Sequence, residues 1–300
     1  MKNTVIIGCG DIGQRVARLC QNKGTVVYGL ARNLESEKRL KAAGINPIRG
    51  DLSQSESLQG VFRDNAESIK GADVYYFAPP PVEGTTDPFM HNFLAALSAN
   101  GQPDNLPAKI VQISTTAVYG DCQGEWITEQ QATNPQTDRG LRRLDAENAL
   151  RLWSEKTGVP IVILRVAGIY GKGRLPLGRL KKGLPILKEE ESPYTNRIHQ
   201  DDLAQICVAA AEHGKAGSSN VEIYNVSDGQ PSTMSYYFKA VAKVNEIPQP
   251  PEVSRAEAQK VMTAGMLSYL KESRRLDNKK LLEDLQITLQ YKNLEEGLRE

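Results

Sequence analysis

Apolar runs alternate with helical patterns through the first half of the chain. Thr4-Val5-Ile6-Ile7 is the first strand, and Thr25-Val26-Val27-Tyr28-Gly29-Leu30 the second, with a helix around Ser36–Ala43 after it. Asn46–Arg49 reads as a short third strand and Asp73–Ala78 as a fourth, stopped by Pro79-Pro80-Pro81. Phe89, Phe93, Leu94 and Leu97 mark a helix, Lys109–Ser114 a fifth strand, Arg139–Lys156 a long helix and Val159–Arg165 a sixth strand. Strands joined by helical crossovers predict an α/β fold with a doubly wound parallel sheet. Its strands are buried on both faces, so they read as unbroken apolar runs.

After Gly171 the pattern loosens. Lys172–Asn196 is rich in Gly, Pro and Lys and reads as an excursion over a cleft. Asp201–Glu212 and Met234–Val244 are helical, Val221–Val226 is a strand, and the tail beyond Pro248-Gln249-Pro250-Pro251 is polar and helical. The expected organisation is a Rossmann domain over 1–171 and a small α/β substrate lobe over 172–300, interleaved with the sheet.

Chemistry enters at Gly8-Cys9-Gly10-Asp11-Ile12-Gly13, between the first strand and a helix marked by Ile12, Val16, Leu19 and Cys20. Gly8 permits a tight turn, Gly10 a close approach of backbone to a pyrophosphate, and Gly13 close helix–sheet packing. The helix N-terminus then faces the negative charge. Ligands of such folds sit at the carboxyl ends of the strands. That adds Asp51 and Leu52, Ala78 and Pro79, Ser114, and Ala167 to Gly8, Gly10, Asp11, Ile12 and Gly13 as nucleotide-site residues. An NAD site needs an acid near the end of the second strand. Leu30-Ala31-Arg32-Asn33 stands there instead, and Arg32 suits a 2′-phosphate, so NADP is expected over NAD.

Charge is balanced, with 37 basic against 36 acidic residues, and gives no reason to expect nucleic acid or an anionic membrane as partner. Four cysteines without paired spacing and three scattered histidines suggest neither a disulfide framework nor a metal site. A strand at the N-terminus and the lack of any long apolar run point to a cytoplasmic protein acting on a small molecule, as monomer or homodimer.

Four further segments carry a resemblance. Ser114-Thr115-Thr116-Ala117-Val118-Tyr119-Gly120 is similar to the S-[ST]-x-x-V-Y-G segment of the extended short-chain dehydrogenase/reductases, the sugar-nucleotide epimerase/dehydratase group. Leu164–Gly171 resembles their L-R-P-x-x-x-Y-G, with Val166 in place of proline. Arg197–Ala204 resembles h-V-x-D-v-A, and Tyr224-Asn225-Val226 resembles Y-N-V. The resemblance implies NAD(P) chemistry, yet the group's Tyr-x-x-x-Lys pair is missing. Aligned on Glu147, Arg139 stands at the tyrosine position and Arg143 at the lysine position, and an arginine does not shuttle protons near neutral pH. Thr116 and Ala117 also cannot supply the acid and base of a dehydratase. The combination resembles an atypical subgroup that keeps the nucleotide turn and loses the pair.

The resemblance places Thr115 at the substrate's reacting oxygen and His199 at a substrate contact, where its ordinary pKa would suit a general acid. Arg139 and Arg143 share a helical face and would aim paired charge at a carboxylate or phosphate. Arg174 and Arg197 are candidates for an anionic group of the substrate, Tyr119 and Tyr170 for packing near it, and Arg142 for the surface. Three readings stay open: an oxidoreductase moving hydride to or from a small polar or anionic substrate, a sugar or sugar-nucleotide epimerase with tightly held NAD(P), and a catalytically silent NADP-binding protein.

Overall fold

The computed structural model describes residues 2–99, 105–213 and 220–300, with the His213 side chain outside that description. Seven strands make the main sheet: β1 (Thr4–Ile7), β2 (Val27–Ala31), β3 (Asn46–Arg49), β4 (Asp73–Tyr76), β5 (Lys109–Thr115), β6 (Ile161–Val166) and β7 (Val221–Val226). Their order is β7-β6-β5-β4-β1-β2-β3, and every pairing is parallel. Val221–Val226, read from sequence as part of the second lobe, therefore belongs to the central sheet, in register with β6 from Val221↔Ile161 to Val226↔Val166.

Alternation along the strands divides the core. Ile6, Tyr75 and Val111 face one layer, built on α1 (Asp11–Asn22) and a helix over Gln200–His213. Val5, Ile7, Val74, Tyr76 and Ile110 face the other. Helix α2 (Leu34–Ala42) connects β2 to β3, and its Asn33 cap accepts from Ser36 N–H. Helix α3 (Ser55–Asp64), which the sequence pattern did not reveal, packs on α4 (Pro88–Ala99) through Leu58, Phe62 and Phe93. Helix α5 (Asp138–Thr157) buries Ala146, Leu150 and Trp153 on this same side. It begins at a Thr137 cap and stops at Gly158, whose φ of 74° is left-handed.

The helix over Gln200–His213 is α6, followed by α7 (Met234–Val244), α8 (Arg255–Val261), α9 (Ala264–Tyr269) and α10 (Lys279–Leu285). Lys172–Asn196 is not a bare surface loop: Leu180 and Ile186 pack with Tyr237, Phe238 and Val241 of α7 in a separate core. The tail returns to the body, where a short strand Arg275–Leu276 pairs with Trp126–Ile127. No helix among the described residues is long and apolar enough to cross a membrane.

Candidate active site

Two cavities open along the carboxyl edge of the sheet. The first, of about 530 Å³, is bordered by Gly8, Cys9 and Gly10, by Leu30 near the end of β2 and Arg32 after it, by Asp51 and Leu52 after β3, and by Ala78 and Pro79 after β4. Gly8 (φ +96°) is required for packing: a Cβ there would lie 2.4 Å from the Ala78 nitrogen. At Gly10 an added Cβ would meet nothing within 4 Å, and this residue caps α1 without a side-chain hydrogen bond. The space beside Gly10, at the N-terminal end of α1, has room for a pyrophosphate at the positive end of the helix dipole. Gly13 sits close behind, where a Cβ would be 2.9 Å from the Gly8 carbonyl oxygen.

Arg32 is exposed at the rim, and a second arginine, Arg39 on α2, borders the same cavity, as does Glu35. Sequence reasoning missed Arg39, although it lies on the helix that follows the second strand. Asp51 Oδ1 accepts from Ser53 N–H at 2.9 Å and Ser53 hydroxyl at 2.8 Å, an Asx turn that orients the loop beneath the cavity. Cys9 is inert as a nucleophile, because burial pushes its thiol up to about 11.

Asp11 and Ile12 do not border this cavity. Ile12 is in the core, while Asp11 accepts from Arg174 Nε at 2.8 Å and from Arg15 Nε at 3.1 Å. Burial works against the Asp11 charge, but the hydrogen bonds from Arg174 and Arg15 hold its carboxyl below its ordinary value. Arg174 is thereby tied to α1 and takes no part in the second cavity.

The second cavity, of about 280 Å³, lies at the ends of β5 and β6. Thr115 and Ala167 border it, together with Arg139 at the start of α5 and Arg197. Thr115 Oγ1 also accepts from Ala117 N–H at 3.3 Å, so one hydroxyl both caps a short helical turn and faces the cavity. Tyr269, Glu272 and Arg274 complete the wall from the far end of the chain, where no local pattern announced them. The Arg139 guanidinium lies 3.6 Å from the centre of the Tyr269 ring. Arg143, one turn further along α5, borders neither cavity; it reaches Ala78 O at 3.4 Å and so spans toward the first cavity.

Several residues that read as chemical are structural. Ser114 is buried and donates to Glu147 Oε1 at 2.6 Å, and Arg165 reaches the same carboxylate from Nη2 at 2.7 Å. Tyr119 lies under the Arg165 guanidinium and donates to Asn225 Oδ1 at 2.7 Å, inside the sheet rather than beside a substrate. Tyr170 is buried against Gly297 and donates to Asn293 O at 3.2 Å. His199 is fully buried: Asp201 N–H donates to Nδ1 at 3.3 Å, and Nε2 lies 3.0 Å from Glu300 Oε2. Its ring packs at a tilt against Tyr291, with centroids 3.9 Å apart, and borders neither cavity, so it is not placed to act as an acid. Arg142, expected at the surface, is buried and donates to Gly84 O.

The family model described as NAD dependent epimerase/dehydratase family matches residues 4–227. The chain belongs to this family. Among curated relatives, Protein YeeZ of Escherichia coli (strain K12) is 26% identical over 253 residues, covering 84% of this chain and 86% of its own. A functionally unknown conserved protein from Silicibacter pomeroyi superposes with a TM-score of 0.81 at 26% identity, covering 99% of this chain and 97% of that one. MoeE5, solved in complex with UDP-glucose and NAD, gives a TM-score of 0.73 at 19% identity over 99% of this chain and 96% of its own, a likeness of fold. In this member of the family, the second cavity stands where β5, β6 and α5 converge.

Proposed function

We propose that this protein is an NADP-dependent oxidoreductase that moves hydride to or from a small polar or anionic substrate. The observation that carries the reading is the pairing of an open α1 N-terminus with two arginines, Arg32 and Arg39, in one cavity, beside a second cavity that holds Thr115. Arg32 and Arg39 border the cavity together with the carboxylates of Glu35 and Asp51, and a 2′-phosphate would engage the two guanidinium groups as a bare ribose hydroxyl would not. Gly8 and Gly10 would hold the pyrophosphate, and Asp51 and Leu52 would border the adenine end. When bound, the nucleotide supplies or accepts the hydride.

The chain's own part is positioning and charge. Thr115 offers a hydroxyl to the substrate's reacting oxygen and relays a proton with solvent, since no Tyr-x-x-x-Lys pair stands on α5. Arg139, at the place of that tyrosine, contributes fixed positive charge that stabilises a developing oxyanion.

Fluorescence titration with NADPH and NADH tests the cofactor. Arg32→Ala and Arg39→Ala should each weaken NADPH by about tenfold, the worth of one charge-assisted hydrogen bond, and leave NADH unchanged. Equal losses for both nucleotides would remove the NADP assignment. Turnover of NADPH with a panel of aldehydes, ketones and sugar nucleotides tests the reaction, and Thr115→Val should lower it. Nucleotide binding with no turnover of any compound would favour a silent binding protein.

A further inference from the structure

Charge in the second cavity is lopsided. Three guanidinium groups border it, from Arg139, Arg197 and Arg274, against one carboxylate, Glu272. Arg274 Nη2 donates to Glu272 Oε2 at 2.8 Å, so that pair is neutral as a unit. Arg139 has no acidic partner among the described residues and rests on the Tyr269 ring.

Arg197 is the stranger case. It is 8% exposed, and its partners are Asn196 O at 2.9 Å and Met234 Sδ at 3.4 Å, neither of them an anion. Its Nε has no hydrogen-bond partner, and its face lies 4.1 Å from the centre of the Tyr237 ring. Asp228 is the carboxylate whose field reaches it, but burial pushes that carboxyl up to about 7, so near neutral pH it balances Arg197 only in part. A guanidinium held out of water without an anion costs free energy, and a bound anion offsets that cost.

Two cations with no ion-pair partner among the described residues therefore face one cavity of about 280 Å³, at the small end for ligand sites. We infer that this cavity recognises a small dianion, either a dicarboxylate or a phosphate monoester, with Arg197 as the buried anchor and Arg139 as the outer contact. A planar guanidinium meets both groups through paired hydrogen bonds. A neutral sugar would leave both charges unmatched, and a nucleoside diphosphate sugar is far larger than the space. The inference names the substrate class for the oxidoreductase reading and rests on this cavity being its substrate site.

Calorimetric titration of the full chain without nucleotide tests it, using succinate, inorganic phosphate, UDP-glucose and neutral 1,4-butanediol as probes. Succinate or phosphate should saturate at one per chain and 1,4-butanediol should not bind, with the better of the two anions telling dicarboxylate from phosphate ester. Arg139→Met should weaken that anion by about tenfold or more. Arg197→Met should do the same, and Arg197→Lys should retain part of the affinity. Because Arg197 is buried, the half-buried Arg139 provides the deciding variant if Arg197→Met does not fold. Unchanged affinity in Arg139→Met, no saturable binding of either anion, or tighter binding of UDP-glucose than of both would overturn the inference. Anion binding that is lost in Arg139→Met supports it even where no compound is oxidised or reduced, an outcome that would count instead against the oxidoreductase reading.

Discussion

Glu147→Gln is the sharpest test of what holds the two cavities in register. Glu147 is 0% exposed and Arg165 is 3% exposed. Their carboxylate and guanidinium meet at 2.7 Å from Nη2 and at 3.2 and 3.3 Å from Nε, and Ser114 donates a further 2.6 Å hydrogen bond. The amide of glutamine keeps the shape but removes the anion, leaving Arg165 charged and buried beside the Tyr119 ring. Removing one member of a buried pair costs about 3–5 kcal/mol. At roughly 2 °C per kcal/mol for a chain of this length, the melting midpoint should fall by about 6–10 °C. Replacing both residues, Glu147→Leu with Arg165→Met, removes the stranded charge and should bring stability back to within about 2 kcal/mol of the parent. Urea unfolding followed by circular dichroism on all members of the cycle measures this. A loss below about 1 kcal/mol in Glu147→Gln, or a double variant as unstable as the two single losses summed, would refute the reasoning.

Two glycines of one turn should separate folding from binding. Gly8→Ala forces a Cβ against the Ala78 nitrogen at a left-handed φ, so it should destabilise the chain by several kcal/mol (about 3 or more) and abolish NADPH binding. Gly10→Ala meets no protein atom within 4 Å, so its melting midpoint should stay near the parent's while NADPH affinity falls at least tenfold. Asp228, raised from 3.8 to about 7 by burial, holds its proton longer in the folded than in the unfolded state, so stability falls as pH rises between those values. Asp228→Asn should therefore be neutral at pH 4 and gain up to about 4 kcal/mol at pH 8, at 1.36 kcal/mol per unit; an equal effect at both pH values in urea unfolding contradicts it. Tyr170→Phe should cost about 1 kcal/mol in the same assay and leave nucleotide affinity unchanged, because its hydroxyl only ties down Asn293.

What the sequence made legible is what repeats locally. The apolar alternation that separates Ile6 from Val5 and Ile7 also separates the two core layers, and the spacing of the first turn marks Gly8 and Gly13 as the glycines that close packing requires. The family resemblance placed Thr115 and Arg139 near a substrate, Arg197 was a candidate for its anionic group, and all three border the second cavity. Tyr119, Tyr170 and His199 looked chemical for the same reason but are buried, because each has a partner far along the chain. Those partners are Asn225 at 106 positions, Asn293 at 123 and Glu300 at 101. A polar side chain with such a partner is indistinguishable, in a local window, from one aimed at a ligand. Tyr269, Glu272 and Arg274 are the converse: ordinary residues of a polar tail until the fold carries them to the cavity.

The two cavities are drawn from separate stretches of chain, the first from residues 8 to 89 and the second from 115 to 274. A ribosome makes the N-terminal stretch first, and domains tend to fold in that order. The residues of the first cavity, where the proposed nucleotide would bind, are thus all present long before Arg274 is made. During that interval a nucleotide that binds the early half stabilises it by mass action, in proportion to its concentration. The cell's nucleotide pool would then help the nascent chain fold, ahead of any substrate.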